Sequence, residues 1–370
     1  MELSGIIRSC GPAYITYYKD RIPKRHVRTM QHIISCRTAE WGGHITVCDV
    51  CGKKVYSYHS CKDRHCPKCG YKDTQRWLEN QRQFLLDVPY FHIIFTLPHT
   101  LNETIRSNQK LTYSLLFSSA VQTLFKVLKK NLFGGNVLYG CMAVLHTWTR
   151  ALVYHTHIHL LVPGGAWNKD TGKWLSSSPY FLAPDKALSK VFRAIFVKKL
   201  RKAIPQISLP QCIWEKDWIV KTLPAISHRT NVIQYLGRYV RKTAITNNRI
   251  LDHTNHTVTF KYKDNKTRQW KLMTLQEHQF LYRYLQHVLP KGFVRIRYYG
   301  FMAPANRKVL TVIKNSLNEE DNHEEAQKKD KNEKPGWLCP CPACKKGHLV
   351  IISVIHKTQR APPKWIQGYE

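Results

Sequence analysis

The sequence predicts an α+β fold, and three observations lead there. Strand-like and helix-like runs follow one another irregularly through the middle of the chain, which favours α+β over a doubly wound parallel sheet. Several strands are apolar enough to be buried. A charged stretch and two cysteine clusters flank that middle part.

In chain order, residues 1 to about 40 read as basic and helical, with Arg21, Lys24, Arg25 and Arg28 among apolar positions. Residues 44–70 are Cys-rich and turn-rich, and 71–88 read as a helix with Trp77 and Leu78 on one side. FHIIFTLP (91–98) is an apolar, β-rich run ended by Pro98, so a buried strand is expected. Helical spacing covers 102–131. GCMAVLHTW (140–148) and HTHIHLLVPGG (155–165) read as strands, the second stopped by Pro163 and Gly164. A basic amphipathic helix is expected over 184–203, a strand over 218–224, and a helix over 231–243 capped by Asn231. More strands and a helix over 274–288 follow. The stretch 315–335 is charged and nearly free of apolar residues, the signature of a solvated linker.

The net charge of +34, from 58 Lys and Arg against 24 Asp and Glu, calls for a polyanion partner. Self-repulsion of this size opposes compaction, and phosphates release counterions when basic residues neutralise them. The basic residues spread along the whole chain instead of forming one amphipathic helix, which favours nucleic acid over a membrane surface. No run of some 18 apolar residues predicts a membrane span, and the N-terminus lacks a signal core, so a cytoplasmic, nucleoid-associated protein is expected.

Of the twelve cysteines, five lie between Cys48 and Cys69 and three between Cys339 and Cys344. Clustered cysteines in a cytosolic chain suggest metal before disulfide. Cys48-x2-Cys51 and Cys66-x2-Cys69 are two knuckles separated by fourteen residues, and two such bends supply the four soft ligands of structural zinc. Cys61, His65 and His44 could replace a ligand or build a second site, or simply pack. Lys62 and Arg64, among Tyr56, Tyr58, His59 and Lys68, suit a small DNA-gripping module. In the tail, Cys339, Cys341, Cys344 and His348 offer a crowded second zinc set. Isolated Cys10, Cys36, Cys141 and Cys212 read as small core residues.

His155, His157 and His159 alternate, so on a strand they share one face. Three imidazoles on one face of an apolar strand make a poor core and a good divalent-metal site. A site built on His157 and His159 needs another ligand. His146 on the preceding strand serves if the two are antiparallel neighbours, with His155 and Gln234 as alternatives. Tyr235 and Tyr239 share a helix face four residues apart. That spacing is weak alone: with nineteen tyrosines about one such pair arises by chance, and Tyr14 and Tyr18 form another. The context of Arg238, Arg241, Lys242 and an upstream His-x-His strand raises it. Arg295 and Arg297 beside Tyr298 and Tyr299 combine cations with stacking rings, as single-strand binders do.

Together, CDVCGKKVYSYHSCKDRHCPKCG, PYFHIIFTLP, VLHTWTRALVYHTHIHLLVPGGAW, YLGRYVRKTAITNNRI and LPKGFVRIRYYGFMA resemble the HUH superfamily of single-strand endonucleases, and most closely the two-tyrosine transposases of rolling-circle bacterial insertion sequences. The motifs run in order over most of residues 36–305. The family's usual Pro between the first two histidines is Thr156 here, which removes no ligand. The resemblance implies an antiparallel sheet of about five strands flanked by helices, with the histidine pair on a central strand. It implies cleavage of one DNA strand through a 5′-phosphotyrosine at Tyr235 or Tyr239, with Mg²⁺ or Mn²⁺ at the histidines. It also implies single-stranded and duplex DNA at the element's ends and target as partners. The expected organisation is a basic helical segment (1–43), a zinc module (44–88), the HUH catalytic domain (89–250), its C-terminal part (251–314), a linker (315–335) and a Cys-rich tail (336–370). A plasmid replication initiator or relaxase of the same superfamily, and a zinc-dependent DNA-binding protein without chemistry, are the competing expectations.

Overall fold

The computed structural model describes residues 1–19, 21–227, 229–239, 243–265, 267–320, 339–358 and Trp365. The chain is α+β, and it divides into two compact units. The first comprises Met1–Lys72, Thr243–Val288 and His323–Glu370; the second comprises Asp73–Lys242 and Leu289–Asn322.

In the first unit, the N-terminal segment folds into helices Leu3–Tyr17 and Lys24–Ser35. The second buries Val27, Met30, Ile33 and Ile34, a spacing of three and four that aligns them on one stripe. A four-stranded antiparallel sheet follows, in the order Cys339–Pro340, His348–Ile355, Gly43–Cys48, Lys54–Tyr58. Its two central strands come from opposite ends of the chain, so the tail is part of this sheet. A three-stranded meander, Ile250–Thr254, Thr257–Lys263 and Trp270–Gln276, leads into helix Glu277–Leu285.

The second unit is built on a five-stranded antiparallel sheet in the order Ile296–Gly300, Gly140–Trp148, Tyr154–Pro163, Tyr90–Thr96, Val220–Ile226. The strand carrying the histidines is central, as expected. Side chains alternate across the sheet. Phe91, Ile93, Phe95, Ile158, Leu160, Val162, Ala143 and Leu145 belong to the larger core, with helices Gln109–Asn131 and Asp185–Ala203. Tyr90, Met142, Val144 and Leu161 belong to a smaller core with Leu78, Val232, Phe301 and Ile313. The histidines lie on this second face, toward one end of the strands. Thr156 is buried on the opposite face, consistent with its removing no ligand.

Helix Gln109–Asn131 has the length and hydropathy of a membrane span. Its Tyr113, Leu116, Phe117, Ala120 and Leu124 are nevertheless fully buried in the larger core, so it is a core helix. Two boundaries differ from the sequence expectation. The tyrosine-bearing helix spans Arg229–Tyr239, so Asn231 lies inside it and is not its cap. The stretch expected as linker from 315 begins within helix Arg307–Glu320, where Leu317 packs on the smaller core; residues 321–338 lie outside the described ones.

Candidate active site

Strand register assembles the histidines. His146 sits directly opposite His157 on the neighbouring antiparallel strand, and His159 lies one side-chain repeat further along. The ligand nitrogens of His146, His157 and His159 all fall within 4.8 Å of one another. Among the described residues this is the one histidine group placed to hold a metal. His155 and Gln234 are not part of it. The His155 ring packs 5.0 Å from both the His99 and His157 rings, and Gln234 is exposed on the tyrosine helix.

Protonation favours ligation. Burial, with His155 alongside, lowers His157 to about 3, and burial together with His146 and His157 holds His159 well below the usual imidazole range. These rings are neutral at pH 7, as a metal ligand must be. His157 Nδ1–H donates to the His155 carbonyl at 2.8 Å, which leaves Nε2 with a free lone pair. His159 Nε2 and His146 Nδ1 face each other at 3.0 Å. Two ligands at right angles, each about 2.1 Å from one ion, are about 3 Å apart. The residues present therefore fit a divalent cation.

Sequence reasoning missed His92. On strand Tyr90–Thr96 it reads as a lone core histidine, yet the register places it diagonally beside His159. Its Nε2 lies 2.7 Å from His159 Nδ1, and its Nδ1 is hydrogen-bonded to the Tyr235 hydroxyl. Tyr235 is thereby linked through one imidazole to the histidine group. Burial lowers His92 to about 4. Nothing in sequence spacing signals this bridge, because it depends on three separate elements.

Tyr239 lies on the same helix, one turn beyond Tyr235. Its side chain and that of Arg238 lie outside the description, as do Arg241 and Lys242. Arg295 lies near the histidines: its guanidinium is 5.8 Å from the Trp148 ring, which stacks on His146, and its charge further lowers His159. Arg297 does not join it. It pairs in register with Ala143 on the opposite sheet face, where it covers the Phe117 ring at 4.3 Å and donates to Ser114 Oγ.

In the first unit, Lys62 and Arg64 are exposed. The cysteines group differently from the expected set. Cys48 and Cys51 do not meet Cys66 and Cys69. Cys66 and Cys69 join Cys61 and Cys36, and Cys48 and Cys51 join Cys341 and Cys344. Cys36 is therefore not an ordinary core residue, and Cys61 belongs to the ligand group. His65 does not; its Nδ1 and backbone N–H both bond Asp63 Oδ1, at 2.8 and 2.9 Å. Cys339 and His348 also stand outside, with the His348 backbone N–H donating to Asp49 at 2.7 Å. The expectation failed because it paired knuckles by closeness in sequence, whereas the sheet brings together the two at its hairpin turns. Four sulfurs with no carboxylate suit zinc.

Residues 6–97 match the family model "Transposase zinc-binding domain", and residues 140–309 match the family model "Putative transposase". The chain is 34% identical to "Putative transposase y4qJ" of Sinorhizobium fredii over 392 aligned residues, covering 98% of each chain. It is 31% identical over 296 residues to "Transposase for insertion sequence element IS801" of Pseudomonas savastanoi pv. phaseolicola, covering 75% of this chain and 70% of the relative. No solved structure matches. Similarity running almost end to end, on a sheet with the histidine strand at its centre, carries the assignment: this chain belongs to the IS91/IS801 family of rolling-circle insertion-sequence transposases and carries that family's N-terminal zinc-binding domain.

Proposed function

We propose that this transposase cuts one DNA strand with Tyr235, through a covalent 5′-phosphotyrosine, at the centre formed by His146, His157, His159 and His92. The observation that carries this reading is the hydrogen bond from Tyr235 through His92 to His159.

The two bonds of His92 run in a consistent direction. Either Tyr235 donates to His92 Nδ1 while Nε2–H donates to His159, or His159 Nδ1–H donates to His92 Nε2 while Nδ1–H donates to the tyrosine oxygen. If His159 Nε2 held a cation, its proton would sit on Nδ1 and the second arrangement would hold. His92 then stabilises the phenolate, whose proton has passed to water. A phenol with its ordinary pKa near 10 needs such help at neutral pH. A divalent cation there would stabilise charge developing on the scissile phosphate. The Tyr235 oxygen forms a bond to phosphorus, the bond from phosphorus to the 3′ oxygen breaks, and the departing oxygen takes a proton from water to become a 3′ hydroxyl. The phosphotyrosine keeps a diester for later rejoining.

Tyr239, one turn along, would take the second strand, as rolling-circle exchange requires. Arg295, beside Trp148 and the histidines, would meet a phosphate. The partners are single-stranded DNA at the element's ends and at the target. Mg²⁺ or Mn²⁺ would serve there, since the histidines alone do not select between divalent ions. Both named relatives are transposases, which favours this reading over a replication initiator or relaxase.

The test is incubation of the full chain with single-stranded oligonucleotides spanning the element's ends and Mn²⁺ or Mg²⁺, followed by a denaturing gel. A protein–DNA adduct is expected, and Tyr235→Phe should reduce its formation at least 100-fold on the first strand, the scale of losing a positioned nucleophile. An undiminished adduct in that variant rejects Tyr235. No adduct with any end sequence, while binding persists, rejects the enzyme reading.

A further inference from the structure

We propose that the chain holds a second tetrahedral zinc ion, bound by Cys48 and Cys51 from the first hairpin and Cys341 and Cys344 from the last, so that one ion fastens the C-terminal tail to the N-terminal module. The zinc-binding family match covers residues 6–97, which contain all of the group Cys36, Cys61, Cys66 and Cys69 but only half of this one.

The sulfur geometry is that of a tetrahedral site. Cys48 Sγ lies 3.6 Å from Cys344 Sγ, and Cys51 Sγ 3.7 Å from Cys341 Sγ. Four sulfurs about 2.3 Å from a central zinc have edges of about 3.8 Å. A disulfide needs about 2.05 Å, so these are facing thiols and not bridges. In the other group, Cys61 and Cys69 are likewise 3.7 Å apart.

The backbone is shaped for ligation on both sides. In each of the chain's three Cys-x2-Cys bends, the residue after the second cysteine is left-handed: Gly52 (φ 67°), Gly70 (φ 94°) and Lys345 (φ 56°). That turn aims backbone N–H groups at sulfur. Val50 and Cys51 N–H donate to Cys48 Sγ, and Gly347 N–H donates to Cys344 Sγ, each at 3.4 Å. Such bonds hold the sulfurs in the orientation a ligand needs. Lys345 adopts this conformation without the freedom of glycine, a cost tolerated where surrounding structure fixes the turn.

The two hairpins are also fitted to each other. A Cβ on Gly347 would lie 2.5 Å from both Cys48 Sγ and Asp49 Oδ1, so only glycine permits this approach. Asp49 Oδ1 accepts the His348 N–H at 2.7 Å, and Asp49 N–H donates to the His348 carbonyl at 3.1 Å. Strand His348–Ile355 pairs with Gly43–Cys48 along its length, ending at Cys48 opposite Leu349. The sheet thus delivers both bends to the same edge.

The test uses the purified full chain. Metal analysis should give two zinc ions per chain, and zinc X-ray absorption a shell of four sulfurs. Cys341→Ser with Cys344→Ser should lower the content to one and expose the tail to limited proteolysis. In the unaltered chain, alkylation of Cys341 and Cys344 should be blocked until a chelator is added. One zinc in the unaltered chain, two in the double variant, or ready alkylation of both cysteines before chelation would each overturn the proposal. The alkylation and metal content of the unaltered chain decide the matter even if the variant does not fold.

Discussion

At the residue scale, His92 is the most informative position. A single histidine in an apolar strand is ordinarily a satisfied core residue, and only three-dimensional register puts it between Tyr235 and His159. Outer partners of ligating histidines typically contribute 10- to 100-fold to activity. His92→Gln should therefore slow adduct formation by about that factor while oligonucleotide affinity stays unchanged. A parallel loss of binding would mean that His92 only supports the fold. The structure also separates the two Tyr-x3-Tyr pairs. Tyr14 is buried with its ring 4.7 Å from that of Tyr18, and burial pushes its phenol up, whereas Tyr235 is half-buried and hydrogen-bonded to a histidine. Sequence spacing could not distinguish them.

At the scale of elements, the fold was legible wherever periodicity was strong. FHIIFTLP, GCMAVLHTW and HTHIHLLVPGG are strands within two residues of the expected bounds, because alternation and terminal prolines act locally. The tyrosine helix depends on contacts that are not local. It carries Gly237, where a Cβ would lie 3.2 Å from a Leu78 methyl, and Val232 is fully buried in the smaller core. Glycine inside a helix costs about 1 kcal/mol relative to alanine, so its presence here answers to packing. Gly237→Val should push the helix away from Leu78 and displace Tyr235. We expect adduct formation to fall at least tenfold with a melting temperature within a few degrees, since one surface-proximal contact changes. Unchanged cleavage would show that the helix position tolerates the shift.

At the scale of the whole molecule, charge and metal set the conditions of stability. Closing the 290-residue separation between Cys51 and Cys341 costs about 5 kcal/mol in chain entropy. Structural zinc contributes about 10–16 kcal/mol in small modules, enough to offset that cost. Acid should act against both units. His26, His92 and His155 are lowered to about 4 and His157 to about 3, all by burial first, from an ordinary value of 6.5. The unfolded chain therefore takes up protons that the folded chain refuses between pH 6.5 and about 4, and stability is lost progressively as pH falls through that window. Asp63, whose carboxylate bonds His32 and His65 and is held below its ordinary 3.8, adds a further loss below that value. The urea midpoint should fall steadily from pH 7 to pH 5, by at least about 2 kcal/mol in stability. A flat midpoint would contradict the neutral, buried state of these rings.

The sequence by itself determined the α+β class, the histidine strand, the tyrosine helix and the need for a polyanion, because each rests on local periodicity or composition. It also offered His146 as the companion of His157 and His159, since antiparallel neighbours are short-range. Only the tertiary structure decided which cysteines meet, that Arg297 faces away from the histidines, and that His92 joins Tyr235 to them. Those facts follow from strand order and register, which bring together residues as far apart in the chain as Gly43 and Ile355 and which no local pattern encodes.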